Sequence, residues 1–154
     1  MYTSIKDLVD AHIKAAQSND TTPPNSPATT REIEALSAHI EAPLPDEYIE
    51  LLSLTNGWVD LQGTNDIHEV TLLSCDEITS GAYDEEIEDI ADDAMEESGY
   101  TGVFPVMFVH DEDSVIVLLV KDGKAYMADA HLGAPDEPQP LLELLNYYLA
   151  AGQQ

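Results

Sequence analysis

Positive charge is what this sequence has least of. Lys6, Lys14, Arg31, Lys121 and Lys124 are its 5 bases, set against 31 acids, for a formal net charge of −26. A field of that sign repels nucleic acid and anionic lipid and attracts basic partners. Cysteine is almost absent. Cys75 stands alone, so no internal disulfide and no thiolate zinc cage is available, and its expected place is a buried strand end in a reducing compartment. Long apolar runs are missing too. The longest aliphatic run, Val115 to Val120, is far too short to span a bilayer, and Met1 to Asp10 has no apolar core of signal-peptide length. These absences lead us to expect a cytoplasmic protein with no membrane partner.

Recognisable catalytic and cofactor motifs are also lacking. There is no His-Glu-x-x-His, no Gly-x-Ser-x-Gly, no phosphate loop and no dinucleotide fingerprint. No window carries the acids, the glycine and the final glutamate of an EF-hand. His110-Asp111 and Asp129-Ala130-His131 imitate acid–base pairs, but no nucleophile motif accompanies them. His12 falls on an apolar helical stripe, where a packed histidine is expected. The expectation is a protein without catalytic residues, metal or cofactor.

What the sequence does contain is patterned for α+β. At 154 residues the chain has the length of a single domain. Ser4 to Ala16 reads as an amphipathic helix, with Ser4 and Asp7 at capping-box spacing. The polar stretch from Ser18, with Pro23, Pro24 and Pro27, reads as a loop or tether. The expected organisation is an appended helix (1–17), a proline-rich loop (18–29) and a core (30–152). A second helix starts at Thr29 or Thr30, with Thr29 and Glu32 as its capping box. A third begins near Pro45 and is expected to end on Asn56-Gly57 as a left-handed cap.

Strands follow. Glu69 to Ser74 is one candidate. Val103 to His110, Val115 to Val120 and Ala125 to Asp129 form an antiparallel meander, its first turn Asp111-Glu112-Asp113 and its second the hairpin signal Asp122-Gly123. A last helix runs from about Pro140 to Ala151. The helices are expected to pack against one sheet face.

Ile33-Glu34-Ala35-Leu36, Pro43-Leu44-Pro45-Asp46-Glu47-Tyr48-Ile49-Glu50-Leu51-Leu52 and Thr55-Asn56-Gly57 together resemble the SUKH superfamily. That group contains a fungal cell-wall-assembly regulator and many bacterial immunity proteins. Leu73-Ser74-Cys75-Asp76-Glu77-Ile78, as an acidic strand end, the meander and the last helix also fit, so the likeness covers roughly Thr29 to Gly152 and leaves out the first helix. The resemblance implies a protein-binding scaffold, often one that neutralises a toxin delivered by a neighbouring cell, frequently a nuclease. A regulatory or scaffold module unrelated to toxins is the alternative.

Between Asp84 and Ser98 the pattern is an acidic helix. Ile87, Ile90, Ala91, Ala94 and Met95 make one apolar face; Asp84, Glu85, Glu86, Glu88, Asp89, Asp92, Asp93, Glu96 and Glu97 fill the rest. Like charges four residues apart cost about 0.2–0.5 kcal/mol per pair, and Glu96 and Glu97 oppose the helix dipole. No lysine or arginine relieves them between Ile67 and Lys121. A docking face for a basic protein accounts for this better than a solvated helix in an acidified protein. Asp111, Glu112 and Asp113 add a second acidic knob. Trp58 is a further contact candidate, because tryptophan is enriched in binding centres, against an ordinary core role.

Overall fold

The computed structural model describes residues 2–19, 23–62, 69–81, 99–110, 113–129 and 139–149, with Tyr83, Glu85, Ile87, Glu88, Asp92 and Glu96. Three helices come first: α1 (Ile5–Asn19), α2 (Thr30–Ile40) and α3 (Asp46–Leu54). The sheet strands are β1 (Trp58–Gln62), β2 (Glu69–Leu72), β3 (Gly102–Val109), β4 (Ser114–Lys121), β5 (Lys124–Asp129) and β6 (Gln139–Pro140). A short α4 (Cys75–Thr79) follows β2, and α5 (Leu141–Leu149) follows β6. The sheet has six strands in the order β1-β2-β3-β4-β5-β6, each antiparallel to the next. This is the expected α+β class, with the meander extended at both edges. No helix among the described residues is long and apolar enough to cross a membrane.

β4 organises the rest. Ser114 to Val120 are all buried, and alternation sends their side chains to two sides. Ile116, Leu118 and Val120 join one cluster with Leu8, Leu36, Leu52 and Leu145 from the helices. Val115, Val117 and Leu119 join a second with Ala128 and Ile87. The expectation that helices pack on one sheet face is therefore corrected. A strand apolar at both parities needs both faces covered, and the acidic segment brings Ile87 to the second.

The caps follow the sequence closely at α2 and differ at α3. Thr29 Oγ1 accepts from the Glu32 N–H at 3.1 Å, and Glu32 Oε1 accepts from the Thr29 N–H at 3.0 Å. α3 starts after Pro45, and it ends not on a left-handed Asn-Gly cap but on Thr55, whose backbone is extended (φ −154°, ψ 129°). Gly57 does have a positive φ of 86°, for a different reason: a Cβ there would lie 2.8 Å from Leu72 O and 2.8 Å from Ser74 N. It lets the chain entering β1 pass against the end of β2. The Asp122-Gly123 hairpin is as expected, with φ of 53° and 75° at its two residues and Lys121 opposite Lys124.

Asn56 ties three segments together. Its Nδ2 donates to Glu32 Oε2 at 2.9 Å, and its Oδ1 accepts from the Cys75 N–H at 2.9 Å. Its own N–H donates to Ser26 O at 3.0 Å, and its carbonyl accepts from Asn25 Nδ2 at 2.9 Å. The proline-rich loop thus converges on the backbone of Asn56, and the starts of α2 and α4 on its side chain. Asn56→Ala should cost about 1–3 kcal/mol in chemical denaturation, for two lost side-chain hydrogen bonds. Gly57→Ala should cost more, because left-handed strain of about 1–3 kcal/mol adds to a clash with backbone that cannot move aside. Equal stability of the two variants would contradict this account.

Candidate functional site

The acidic segment is placed on the second sheet face through its few described residues. Glu85, Ile87, Glu88, Asp92 and Glu96 are helical; Ile87 is buried and the four acids are exposed. At 3.6 residues per turn the four acids fall within about 80° of one another, and Ile87 lies on the opposite side. Glu88–Asp92 and Asp92–Glu96 stand four residues apart with like charge. Among the described residues none of the four has an ion-pair partner. Asp84, Glu86, Asp89, Asp93 and Glu97 lie outside the described residues, as do Asp111, Glu112 and His131. Asp113 is exposed at the β3–β4 turn with φ 51°.

Trp58 is corrected. It is 1% exposed and belongs to the main cluster, so its ring offers no surface to a partner. It sits at the start of β1, where a register shift between Trp58 and Leu61 lets both residues point inward although they are three apart. The same irregularity, with Asp60 at φ 54°, breaks the strict alternation by which a strand is legible in sequence.

A run of rings leads from the acidic segment to the edge of the sheet. Tyr83 has φ 63°, an uncommon conformation for a bulky residue. Its ring stacks on Phe108 at 5.3 Å and 7°, which helps offset that strain. Phe108 meets His110 edge-on at 5.2 Å. His110 Nε2 is 2.8 Å from Thr71 Oγ1 and 3.5 Å from Asp60 Oδ1. These rings were not legible beforehand, because only the sheet register brings β2, β3 and the Tyr83 turn together.

Asp60, His110 and Thr71 look superficially like a catalytic trio. Relay chemistry needs the carboxylate on one imidazole nitrogen and the hydroxyl on the other. Here both meet Nε2, and the Asp60 N–H donates to Thr71 Oγ1 at 3.2 Å. The arrangement braces the bulged β1 edge against β2 and leaves the hydroxyl without an oriented base. Cys75 is similarly inert. Burial first, then Glu32 and Asp76, push its thiol up to about 11, so the nucleophilic thiolate is scarce at neutral pH.

The cavity among α3, β2, β5 and α5 is small, about 10 Å³, and lined by Tyr48, Leu52, Met127 and Leu145. That is room for about one water. The Tyr48 hydroxyl is buried with no hydrogen-bond partner among the described residues, and burial raises its pKa. Among the described residues no group of three or more His, Cys, Asp or Glu could hold a metal.

Two expectations follow. Tyr48→Phe should be neutral or stabilising by up to about 1 kcal/mol, because it removes a hydroxyl that folding desolvates without compensation. A loss above that in thermal or urea unfolding would show that the hydroxyl has a partner. His110→Ala should cost under about 1 kcal/mol, since the contacts it removes are exposed, and should leave the biological activity in place; its loss in a folded variant would restore a chemical role to His110.

No individual curated protein matches the chain. A family model does, over residues 27–149, from just before α2 to the end of α5. The chain belongs to the SMI1 / KNR4 family (SUKH-1).

Proposed function

We propose that this chain is an immunity protein that binds a toxin of basic surface and neutralises it by protein contact, without chemistry of its own. The observation that carries the reading is the row Glu85, Glu88, Asp92 and Glu96, exposed, lacking counter-charges among the described residues and set opposite the buried Ile87. Family membership supports a binding role of the toxin-immunity type. The −26 charge supplies the long-range attraction.

The energetics favour contact over solvation alone. A helix serving only as a soluble surface gains from interspersed lysines. This one keeps like charges in register, a cost that a partner's arginines and lysines would reverse on binding. A nuclease is the partner class that fits best, because an acidic face competes directly with the phosphate backbone for a basic cleft.

Substituting Glu85→Gln, Glu88→Gln, Asp92→Asn and Glu96→Gln together tests the assignment, because size is kept and charge is removed. Toxin candidates encoded next to the gene are first screened for those whose killing this chain prevents. Against such a partner the quadruple variant should bind about 1–3 kcal/mol more weakly, roughly five- to 150-fold, while its melting temperature rises slightly. Association of the parent should slow steeply as salt is raised. Unchanged affinity, or a flat salt profile, would remove this face from the mechanism.

A further inference from the structure

α1 lies outside the stretch 27–149 that matches the family and docks on it. It buries Ile5, Leu8, Val9 and Ala16 in the main cluster. Among the described residues, these polar contacts join its segment to α5. The Tyr2 N–H donates to Asn146 Oδ1 at 2.9 Å, and Asn146 Nδ2 donates to Tyr2 O at 2.9 Å. The third is His12, 1% exposed, with Nδ1 2.7 Å from Leu8 O and Nε2 3.3 Å from Leu149 O.

Both neighbours of that imidazole are hydrogen-bond acceptors, and a neutral ring has one N–H to give. The shorter contact places the proton on Nδ1, which leaves the Nε2 lone pair facing the carbonyl of Leu149. An imidazolium would satisfy both carbonyls, but it would be a charge held out of water. Among the described residues no carboxylate is in hydrogen-bond or ion-pair contact with it. Asp7 and Asp10 of α1, Asp46, Glu47 and Glu50 of α3, and Glu143 of α5 are all exposed. The Tyr2 ring lies 6.1 Å away, edge-on; the phenols of Tyr48 on α3 and Tyr148 on α5 belong to the same buried cluster as α1. Desolvation outweighs the two carbonyls and lowers the pKa of His12 from the ordinary histidine value.

The chain is also built so that α1 can leave alone. The tether is pinned to the core from Asn25 onward: the Asn25 N–H donates to Gly57 O at 3.3 Å, the Ala28 N–H to Leu52 O at 2.8 Å, and Ser26 O accepts from Asn56. Those bonds lie downstream of α1 and involve none of its residues. We propose that α1 is a releasable clasp on the family core, docked while His12 is neutral and loosened when mild acid protonates it. The docked form has the lower affinity for the proton. Its stability is therefore complete above the solvated histidine value of about 6.5 and declines as the pH falls through that value toward the folded one.

Amide hydrogen exchange of the full chain, read by NMR at pH 7.5 and 5.5 and corrected for intrinsic rates, tests this. The amides of Val9, Ile13 and Ala16 should lose protection at pH 5.5 by up to about tenfold, the limit for one proton taken up at an ordinary histidine. Those of Leu118 and Leu119 in β4 should not follow. His12→Gln should abolish the difference between the two pH values. Equal protection of α1 at both pH values, parallel loss in α1 and β4, or an unaltered pH dependence in His12→Gln would each overturn the proposal. Should His12→Gln fail to dock α1, the ring-proton titration of His12 in the parent decides: a midpoint below about 6.5 supports the clasp, and one at or above that value overturns it.

Discussion

A strand buried on both faces is the constraint from which this architecture follows. β4 carries apolar side chains at both parities, so each face of the sheet must be covered or its share of the core is lost to water. One face receives α1, α2, α3 and α5. The other receives Ile87 and the half-buried rings Tyr83, Tyr100, Phe108 and Tyr126. The acidic segment is thus held to the sheet through Ile87, and its described acids Glu85, Glu88, Asp92 and Glu96 are exposed. Its structural and proposed binding roles use opposite sides of one helical stretch.

Polar interactions join the segments of the fold where they meet. Asn56 joins the proline-rich loop, α2 and α4, and Glu32 serves both as capping partner of Thr29 and as acceptor for Asn56. The Glu32 carboxyl is held below its ordinary value by the Thr29 N–H, then by the Thr29 side chain, then by Asn56. The Leu-Pro and Asn-Gly landmarks that mark the family are accordingly parts of the scaffold. The Leu-Pro motif starts a helix; Asn56 bridges and Gly57 makes room. They shape the fold, and the proposed contact surface lies elsewhere, in the acids.

The two edges of the sheet are both blunted. β1 is bulged around Asp60, and β6 is two residues long and includes Pro140, which has no N–H to offer a further strand. Pairing with another chain through a sheet edge is therefore disfavoured. The proposed contact through the acidic side chains makes no use of either edge.

The sequence by itself determined the α+β class, the capping box of α2, the Asp122-Gly123 hairpin, the central strands and the family, because each rests on local spacing or on charge. It also placed Ile87 on the apolar side and Glu85, Glu88, Asp92 and Glu96 on the polar side of one helical stretch, since a period of 3.6 residues is legible without neighbours. Tertiary structure alone decided the rest. The bulge in β1 broke the alternation that would have revealed a strand and sent Trp58 into the core. The capping box of Ser74 and Glu77 sat in a stretch whose apolar residues read as a strand end. Gly57 suited a helix stop by composition and is needed instead for close passage against β2. His12 was legible as a packed histidine, but its second acceptor, Leu149 O, lies 137 residues away. Local patterns report which way a side chain faces; only the folded chain sets what stands opposite it.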